Sequence, residues 1–287
     1  MDWNRFILEN EVPIRLGFFF GMLLLVALWE IRAPRRILSQ PKGLRWLHNL
    51  GLTFSNSLLL RILFPAAAVG VAVFAGEQGW GLFNYYHFPL IVSATVSVIL
   101  MDGIIYLQHV MVHAVPLLWR VHRVHHADLD YDVTTGSRFH PVEILLSMLI
   151  KFATILLLGP PVVAVVIFEV LLNATSMFNH GNLRLPEKVD RVLRLFLVTP
   201  DMHRVHHSIA DDETNSNFGF SLPWWDRLFG TYKAQPDAGH EGMTIGIDRF
   251  RDPARVERLP GMLLLPFAGD STGYTINRRS WEKTPKA

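Results

Sequence analysis

Histidines are concentrated in one part of this chain, at spacings that suit metal ligands. Ten of the thirteen histidines fall between residues 109 and 207. Eight of these form three groups with the spacings H-x-x-x-H, H-x-x-H-H and H-x-x-H-H, namely His109, His113, His122, His125, His126, His203, His206 and His207. On a helix, residues three and four positions apart share a face, so each group directs its imidazoles the same way. Neutral imidazole is a common ligand of iron, zinc, copper and nickel near pH 7.

The number of histidines favours more than one metal ion. Eight converging imidazoles exceed the needs of one tetrahedral metal, so two metals are the economical interpretation. A single histidine pair four residues apart often has no metal role, and that alternative applies to each group taken alone. Three groups, two of them with the same spacing, are hard to produce by chance. We therefore predict a site for two metals.

The composition is typical of an integral membrane protein. Half of the 287 residues are hydrophobic and only 18% are charged, an unusual balance for a soluble domain. The absence of cysteine excludes disulfides, thiolate nucleophiles, and cysteine-ligated iron–sulfur or zinc sites from this chain. The net charge of +2 is modest, and basic residues lie beside apolar segments. This pattern indicates a membrane surface rather than a nucleic acid as the partner.

Apolar segments predict the membrane topology. They cover residues 15–31, about 50–75, 88–108 and 142–179, and the last is broken at Gly159-Pro160-Pro161, where two prolines end a helix. We predict an all-α integral membrane protein with about four transmembrane segments, as two spans plus helices that form a re-entering hairpin. A cytoplasmic helical cap would carry the histidine-rich site for two metals.

Charge asymmetry predicts the orientation of these segments. The loop after the first segment is rich in arginine and lysine, whereas residues 76–87 contain neither. By the positive-inside rule the first loop is cytoplasmic and the second is outside, which places every histidine group on the cytoplasmic face. We predict one domain over residues 1–287, with a histidine core at about 95–235 and a cytoplasmic tail at 236–287.

Charged residues within the apolar segments include Asp102, Lys151 and Glu169. Asp102 lies seven residues before His109, on nearly the same helical face. A charge at that depth is costly and usually functional. Asp102 is either a hydrogen-bond partner of a metal-bound histidine or part of an ordinary interhelical hydrogen bond. Lys151 and Glu169 lie within the hairpin and are expected to face protein or interfacial water.

The donor set and its location together suggest a chemistry. Neutral imidazoles without thiolates suit a pair of divalent irons, which can reduce O2 to an oxidant that breaks an unactivated C–H bond. A site at the membrane face predicts an aliphatic substrate that stays in lipid while its reactive carbon reaches the metals. The transmembrane helices would then provide an apolar tunnel or groove.

Six sequence segments resemble one protein family. HVMVH, RVHRVHH and MHRVHH resemble the three histidine boxes of the fatty acid hydroxylase and sterol desaturase superfamily. SRFHPVE, NHGNLRLP and NFGFSLPWWDRLFGTY resemble further segments of that family, so the resemblance covers about residues 95–235. Soluble carboxylate di-iron proteins offer no match, because paired Glu-x-x-His motifs are absent.

The resemblance implies a membrane di-iron oxygenase. Such an enzyme uses O2 and two external electrons to hydroxylate or desaturate a lipid, for example a sterol, fatty acyl, sphingoid or ether lipid. The resemblance makes the eight box histidines iron ligands and adds His180, in NHGN. His140, in RFHP, matches a family histidine for which a ligand role and a structural role are both open. His48, His87 and His240 lie outside the motifs and are expected not to bind metal.

The source of electrons is expected to be a separate protein. The sequence contains no haem-binding cytochrome domain and no G-x-G-x-x-G fingerprint. A ferredoxin, cytochrome or reductase is therefore the expected donor. Basic residues on the cytoplasmic side form a docking face for an acidic donor, or simply reflect the positive-inside rule; they are Arg120, Arg123, Arg184 and Arg191.

Two other functions are compatible with clustered histidines. The first is a membrane zinc hydrolase, against which stands the lack of an H-E-x-x-H motif and of a glutamate beside the boxes as a general base. The second is a non-catalytic protein that binds metal or haem. A storage or relay role needs fewer converging ligands than this chain provides, so lipid oxidation is the leading hypothesis.

Overall fold

A computed structural model describes residues 3–269, and these residues confirm an all-helical fold. The α-helices are α1 Trp3–Arg32, α2 Lys42–Leu63, α3 Ala67–Glu77, α4 Leu82–Tyr86, α5 Leu90–Ala114, α6 Pro116–His126, α7 Pro141–Leu158, α8 Val162–Asn179, α9 Glu187–Leu193, α10 Pro200–His206, α11 Asp211–Thr214, α12 Trp224–Phe229, α13 Gly239–Gly242, α14 Pro253–Val256 and α15 Leu259–Leu264. Short 3₁₀ helices cover Thr135–Ser137 and Leu265–Phe267. Within the described part, β-pairing is limited to two isolated bridges.

Five helical segments are long and apolar enough to cross a membrane. They are Phe6–Arg32, Lys42–Tyr86, Leu90–Ala114, Pro141–Leu158 and Val162–Asn179. The first is longer than the apolar run 15–31 that predicted it, because the helix continues back through a polar start. Many large apolar side chains on these helices are exposed, as expected for a lipid-facing surface. The number of segments that cross a bilayer, about four, stays a prediction.

The predicted break in the last apolar segment is confirmed. α7 ends at Leu158, and Gly159 adopts a left-handed conformation with φ of 61°, which favours glycine. A Cβ atom there would also lie 2.5 Å from the Trp80 carbonyl oxygen. Pro161 then caps α8, and the two 18-residue helices form a hairpin. The hairpin returns the chain to the end of the bundle where the histidines lie.

The central helix of the bundle is α8, which packs against α1, α3 and α5. Small side chains such as Ala68, Ala72 and Ala164 are buried in these contacts, which lets neighbouring backbones approach closely. Larger buried side chains, including Met101 and Phe168, fill the space between the helices. This packing fixes the ends of α5 and α8, from which histidines project.

The region predicted as a cytoplasmic tail, residues 236–287, packs against a histidine helix over its described part. Met262 and Leu265 contact Trp119 and Val124 of α6 in one buried cluster. Arg123 lies over the ring of Phe250, 4.8 Å from its centroid. Residues 236–269 therefore support the site, while residues 270–287 lie outside the described residues.

A buried ion network ties α2 to the loop that follows α6. Arg45 donates two hydrogen bonds to Asp128, at 2.9 and 2.8 Å, and one to Asp132 at 2.7 Å. Arg138 approaches Asp128 and Glu257 from the other side. Burial alone would raise the pKa of Asp128, but Arg45 and Arg138 hold it well below its ordinary value. Asp128 is therefore ionised at neutral pH, and the network joins α2 to the loop between α6 and α7.

We predict that replacing Arg45 with Met destabilises the protein by about 3–5 kcal/mol, because two buried carboxylates lose their counter-charge. Thermal denaturation in detergent, followed by the loss of monodisperse protein, measures the effect. Arg255→Met is the matched control, because its side chain is 73% exposed and pairs with Asp252 at the surface. Equal midpoints for the two variants would contradict a structural role for the network.

Candidate metal centre

Nine buried histidines converge where α5, α6, α8 and α10 end. They form two groups, and within each group the ligand nitrogens lie within 4.8 Å of one another. The first group is His109, His113, His122, His126 and His206, and the second is His125, His180, His203 and His207. These nine are the eight box histidines together with His180. The geometry supports two metal positions rather than one.

The helical spacing explains how each H-x-x-H-H box is shared between the two groups. In α6, His122 and His126 are four residues apart and join the first group, while His125 joins the second. In the third box the allocation is reversed, since His203 and His207 join the second group and His206 the first. Two residues four positions apart lie on nearly the same face of a helix, whereas the histidine between them projects from a different part of the helix surface. Each H-x-x-H-H box thus contributes histidines to both metal positions, so its imidazoles do not all point in the same direction as the spacing predicted.

Short helices with defined starts hold these rings in place. Val115 interrupts the helix between the first two boxes, and Pro116 begins α6 with a residue suited to that position. Thr199 caps α10 by accepting a hydrogen bond from the Met202 amide, and Pro200 follows it. His180 and His207 occupy the C-terminal caps of α8 and α10. The histidines therefore sit at helix ends, where several elements can meet.

Backbone carbonyls orient three of the rings. The Nδ1–H groups of His109, His206 and His180 donate to the carbonyls of Phe218, Ser216 and Ser176, at 2.8, 2.7 and 2.8 Å. A carbonyl oxygen only accepts hydrogen bonds, so Nδ1 carries the proton in each ring. The Nε2 atom of each ring then holds a lone pair directed into the cluster, which is the form that binds metal.

The inward-facing ring nitrogens are arranged to bind a cation rather than to contact one another. His109 Nε2 lies 3.0 Å from His206 Nε2, although both rings already carry their proton on Nδ1. Two lone pairs at that separation repel unless a positive ion lies between the rings. Both ring nitrogens of His203 and His207 are buried without a hydrogen-bond partner in the described structure, a cost of about 1–3 kcal/mol for each unpaired group. The residues present therefore fit bound metal ions.

Burial keeps four of these imidazoles neutral, those of His180, His203, His206 and His207. It lowers the pKa of His180 and His206 to about 3, because the charged form loses its hydration. Burial, reinforced by neighbouring histidines, places the pKa of His203 and His207 well below the usual 6.5. The rings are consequently free of protons that would compete with metal at neutral pH.

His140 lies outside both groups. Its Nδ1 accepts a hydrogen bond from the Val142 amide at 3.2 Å and caps α7. Its Nε2 lies 3.3 Å from the Leu263 carbonyl oxygen. The structure therefore supports the structural alternative for His140. His48, His87 and His240 also lie outside both groups.

The hydrogen bonds of Asp102 go to residues 221–225 rather than to a histidine. Its carboxylate accepts hydrogen bonds from the Ser221 and Leu222 amides, both at 3.2 Å, and from Trp225 Nε1 at 2.9 Å. These contacts correspond to the interhelical alternative rather than to a direct bond with a histidine. They hold the segment whose Phe218 carbonyl orients His109, so the influence of Asp102 on the site is indirect.

Two further acidic residues support the site and were missed by the sequence argument. Glu143 Oε1 accepts from His122 Nδ1 at 2.6 Å, a contact that fixes the orientation of the imidazole ring. Asp226 accepts from the Phe218 and Gly219 amides at 2.7 and 2.8 Å. Both lie in segments that resemble the family, SRFHPVE and the WWDRLF part of the longest one. Their location in these family-like segments was the only feature of the sequence that could have indicated a role for Glu143 and Asp226.

A cavity of about 270 Å³ reaches the histidines from within the helical bundle. His109, His122 and His125 line one end of it. Apolar side chains dominate the wall beside them and include Ile105, Val112, Phe139, Ile144, Met148 and Met177. An aliphatic group could lie there against the imidazoles, as the prediction of an apolar groove requires.

We predict that His206→Gln lowers the metal content of the purified protein, because it removes one buried nitrogen donor from the first group. Elemental analysis of protein from iron-supplemented cells, expressed as metal ions per chain, measures this. His140→Asn is the matched control, since asparagine preserves the helix cap and His140 lies outside both groups. Equal metal loss in both variants would contradict the assignment.

We also predict that the metal-free protein loses stability as the pH falls below about 6.5. The unfolded chain then takes up protons on histidines that stay neutral when folded, down to the pKa of about 3 for His180 and His206. Each such histidine contributes about 1.4 kcal/mol per pH unit in that window. Unfolding midpoints of chelator-treated protein between pH 7.5 and 5 measure the slope. The same midpoint at both ends of the range would show that the histidines are not buried as neutral groups.

Comparisons with known proteins identify the part of the chain that carries the histidines. Residues 94–231 match the fatty acid hydroxylase family model, close to the 95–235 expected from the boxes. Alkylglycerol monooxygenase of Homo sapiens is 29% identical over 157 residues, which are 53% of this chain and 33% of that protein. Ornithine lipid hydroxylase of Rhizobium tropici is 28% identical over 148 residues, 52% of this chain and 44% of that protein.

A third relative matches over more of the chain. Alkylglycerol monooxygenase of Xenopus tropicalis is 27% identical over 250 residues, 84% of this chain and 51% of that protein. This chain thus spans between 33% and 51% of the length of these three relatives. No solved structure matches it. All nine converging histidines fall within the family match, and residues 94–231 are a fatty acid hydroxylase domain.

Proposed function

We propose that this protein is a membrane-bound oxygenase that holds two iron ions and hydroxylates a C–H bond of a lipid. It would use O2 and two electrons from a separate donor. The observation that carries the proposal is the pair of buried histidine groups, nine rings in all, at the end of an apolar cavity. The relatives are named as lipid monooxygenases and hydroxylases, which favours hydroxylation over desaturation.

The two groups would each hold one iron. His109, His113, His122, His126 and His206 would provide one position, and His125, His180, His203 and His207 the other. Bound iron supplies the O2-activating redox chemistry that amino-acid side chains lack. The described groups contain only nitrogen donors, which distinguishes this site from the carboxylate-rich di-iron sites of soluble helical bundles.

The protein's own residues would orient and shield the reaction. Phe218, Ser216, Ser176 and Glu143 fix ring orientations from outside the cluster. The apolar wall of the cavity would hold an aliphatic chain against the inward face and exclude water from it. The chain thus contributes positioning, while the metals contribute reactivity.

The geometry of the site argues against the zinc-hydrolase alternative. A glutamate does lie beside the boxes, contrary to the sequence argument, but Glu143 bonds His122 on the side of the ring away from Nε2. It is therefore placed to orient the imidazole. A non-catalytic metal-binding role does not explain a cavity that ends at His109, His122 and His125.

The orientation in the membrane is also part of the proposal. Arg35, in the basic loop after α1, contacts Asp201 at 3.4 Å, and Asp201 lies two residues before His203. The loop without lysine or arginine, residues 76–87, meets Gly159 at the opposite end of the hairpin. By the positive-inside rule, the histidine end faces the cytoplasm. An external electron donor would then approach from that side.

The proposal predicts that 18O from labelled O2 enters a lipid product. Iron-loaded protein in membranes, supplied with an electron donor, is incubated with ether lipids and acyl lipids, the classes suggested by the relatives' names. Mass spectrometry of the lipids should show one 18O per product with the native protein and none with His206→Ala. His48→Gln is the control, because His48 lies outside both histidine groups.

Two results would contradict this function. Oxygen derived from labelled water would indicate hydrolysis. Activity that persists after iron is replaced by zinc would exclude a redox role for the metals.

A further inference from the structure

The cavity that ends at the histidines has a charged opposite end. Arg15 of α1, Lys151 of α7 and Glu169 of α8 line it there. Lys151 Nζ donates to Glu169 Oε1 at 2.7 Å, and Arg15 Nη1 lies 3.2 Å from Glu169 Oε2. The Lys151 and Glu169 side chains are 11% and 3% exposed, whereas Arg15 is 33% exposed. This end of the cavity therefore reaches the molecular surface beside Arg15.

The charges at this end do not balance. Among the side chains that line this end of the cavity, two cations face one carboxylate, so these three residues together carry a net charge of +1. Glu11, one turn before Arg15 in α1, is not among the residues that line the cavity, and its buried Oε2 has no hydrogen-bond partner in the described residues. An uncompensated charge within a membrane segment is costly and is usually retained for function. A ligand that carries one negative charge would neutralise the cluster.

The two cations also have unused hydrogen-bonding capacity. Lysine has three N–H donors and arginine five, yet the ion pairs of Lys151 and Arg15 in the described residues go to one carboxylate. The Arg15 contact is also poorly aligned, since Glu169 Oε2 makes no hydrogen bond. An oxyanion could accept hydrogen bonds from both cations at once.

The distance between the two ends suits an amphiphile. Lys151 lies eight residues beyond Glu143 on α7, a rise of about 12 Å, and Glu143 bonds the metal-site residue His122. On α8, Glu169 lies seven residues before Ser176, about 10 Å, and the Ser176 carbonyl orients His180. The estimates along α7 and α8 are similar, so about 10–12 Å of aliphatic chain would separate a bound head group from the histidines.

We propose that Arg15 and Lys151 bind the anionic oxygen head group of the lipid substrate, a carboxylate or a phosphate. Glu169 holds the two cations in place, and the aliphatic chain extends along the cavity to His109, His122 and His125. This inference rests on the proposed function, because it identifies the class of lipid that the same site oxidises. A purely structural triad that only ties α1, α7 and α8 together would show no preference for charged ligands.

The test measures binding without turnover. Metal-free protein in a neutral detergent is titrated with amphiphiles that share one dodecyl chain: dodecanoate, dodecyl phosphate, dodecanol and dodecyltrimethylammonium. Native mass spectrometry reports the affinities, and thermal shift provides a second readout. We expect an anionic amphiphile to bind about tenfold or more tightly than dodecanol, the effect of a charge-assisted hydrogen bond. The tighter of the two anionic ligands identifies the head group as carboxylate or phosphate.

Two variants should act in opposite directions. Lys151→Met removes one cation and should weaken anion binding about tenfold, whereas Glu169→Gln raises the net charge to +2 and should tighten it. Lys188→Met, an exposed lysine of α9, is the control for loss of one positive charge and should leave the affinity unchanged. A structural triad would give parallel losses in both variants.

Equal affinity for dodecanol and both anions, or anion binding that responds to neither variant, would overturn the inference. Because no metal is present, these outcomes are independent of the oxygenation experiment. Lipid oxidation without anion preference would refute the head-group site alone. Anion preference without oxidation would refute the proposed function alone.

Discussion

Nine imidazoles face one another in a buried space, and several of their inward nitrogens have no hydrogen-bond donor to pair with. Where Nδ1 donates to a backbone carbonyl, as in His109 and His206, the inward nitrogens present only lone pairs, 3.0 Å apart. Cations relieve this repulsion, and without them the arrangement costs stability. The rest of the protein holds the rings in this arrangement: helix ends meet at the cluster, carbonyls fix three of the tautomers, and a buried ion network around Arg45 joins α2 to the loop that follows α6.

The H-x-x-H-H spacing determines how the histidines of a box are divided between the two groups. On one helix turn, the first and last histidine of the box serve one group and the middle one serves the other. Two boxes with opposite allocation therefore build two adjacent positions from two short helices, α6 and α10. His180, at the end of α8, completes the four-histidine group. The Gly159-Pro160-Pro161 turn is what returns α8 to this end of the bundle.

Much of this could be predicted from the sequence because it depends on local spacing. The converging histidines, the broken hairpin and the family resemblance all follow from residues that are close in the chain. Contacts between distant residues could not be predicted: Glu143 with His122, Asp226 with the Phe218 segment, and Lys151 and Glu169 with Arg15. Asp102 illustrates the limit, because its helical face pointed toward His109 while its hydrogen bonds go to a loop from over a hundred residues away.

The most direct test of this account is a crystal structure of the iron-loaded protein with anomalous data collected at the iron edge. Two anomalous peaks are expected in each chain. One would lie among His109, His113, His122, His126 and His206, and the other among His125, His180, His203 and His207, so that His122 and His125 contact different metals. A single peak shared by both groups, or two peaks with His122 and His125 on the same metal, would contradict it.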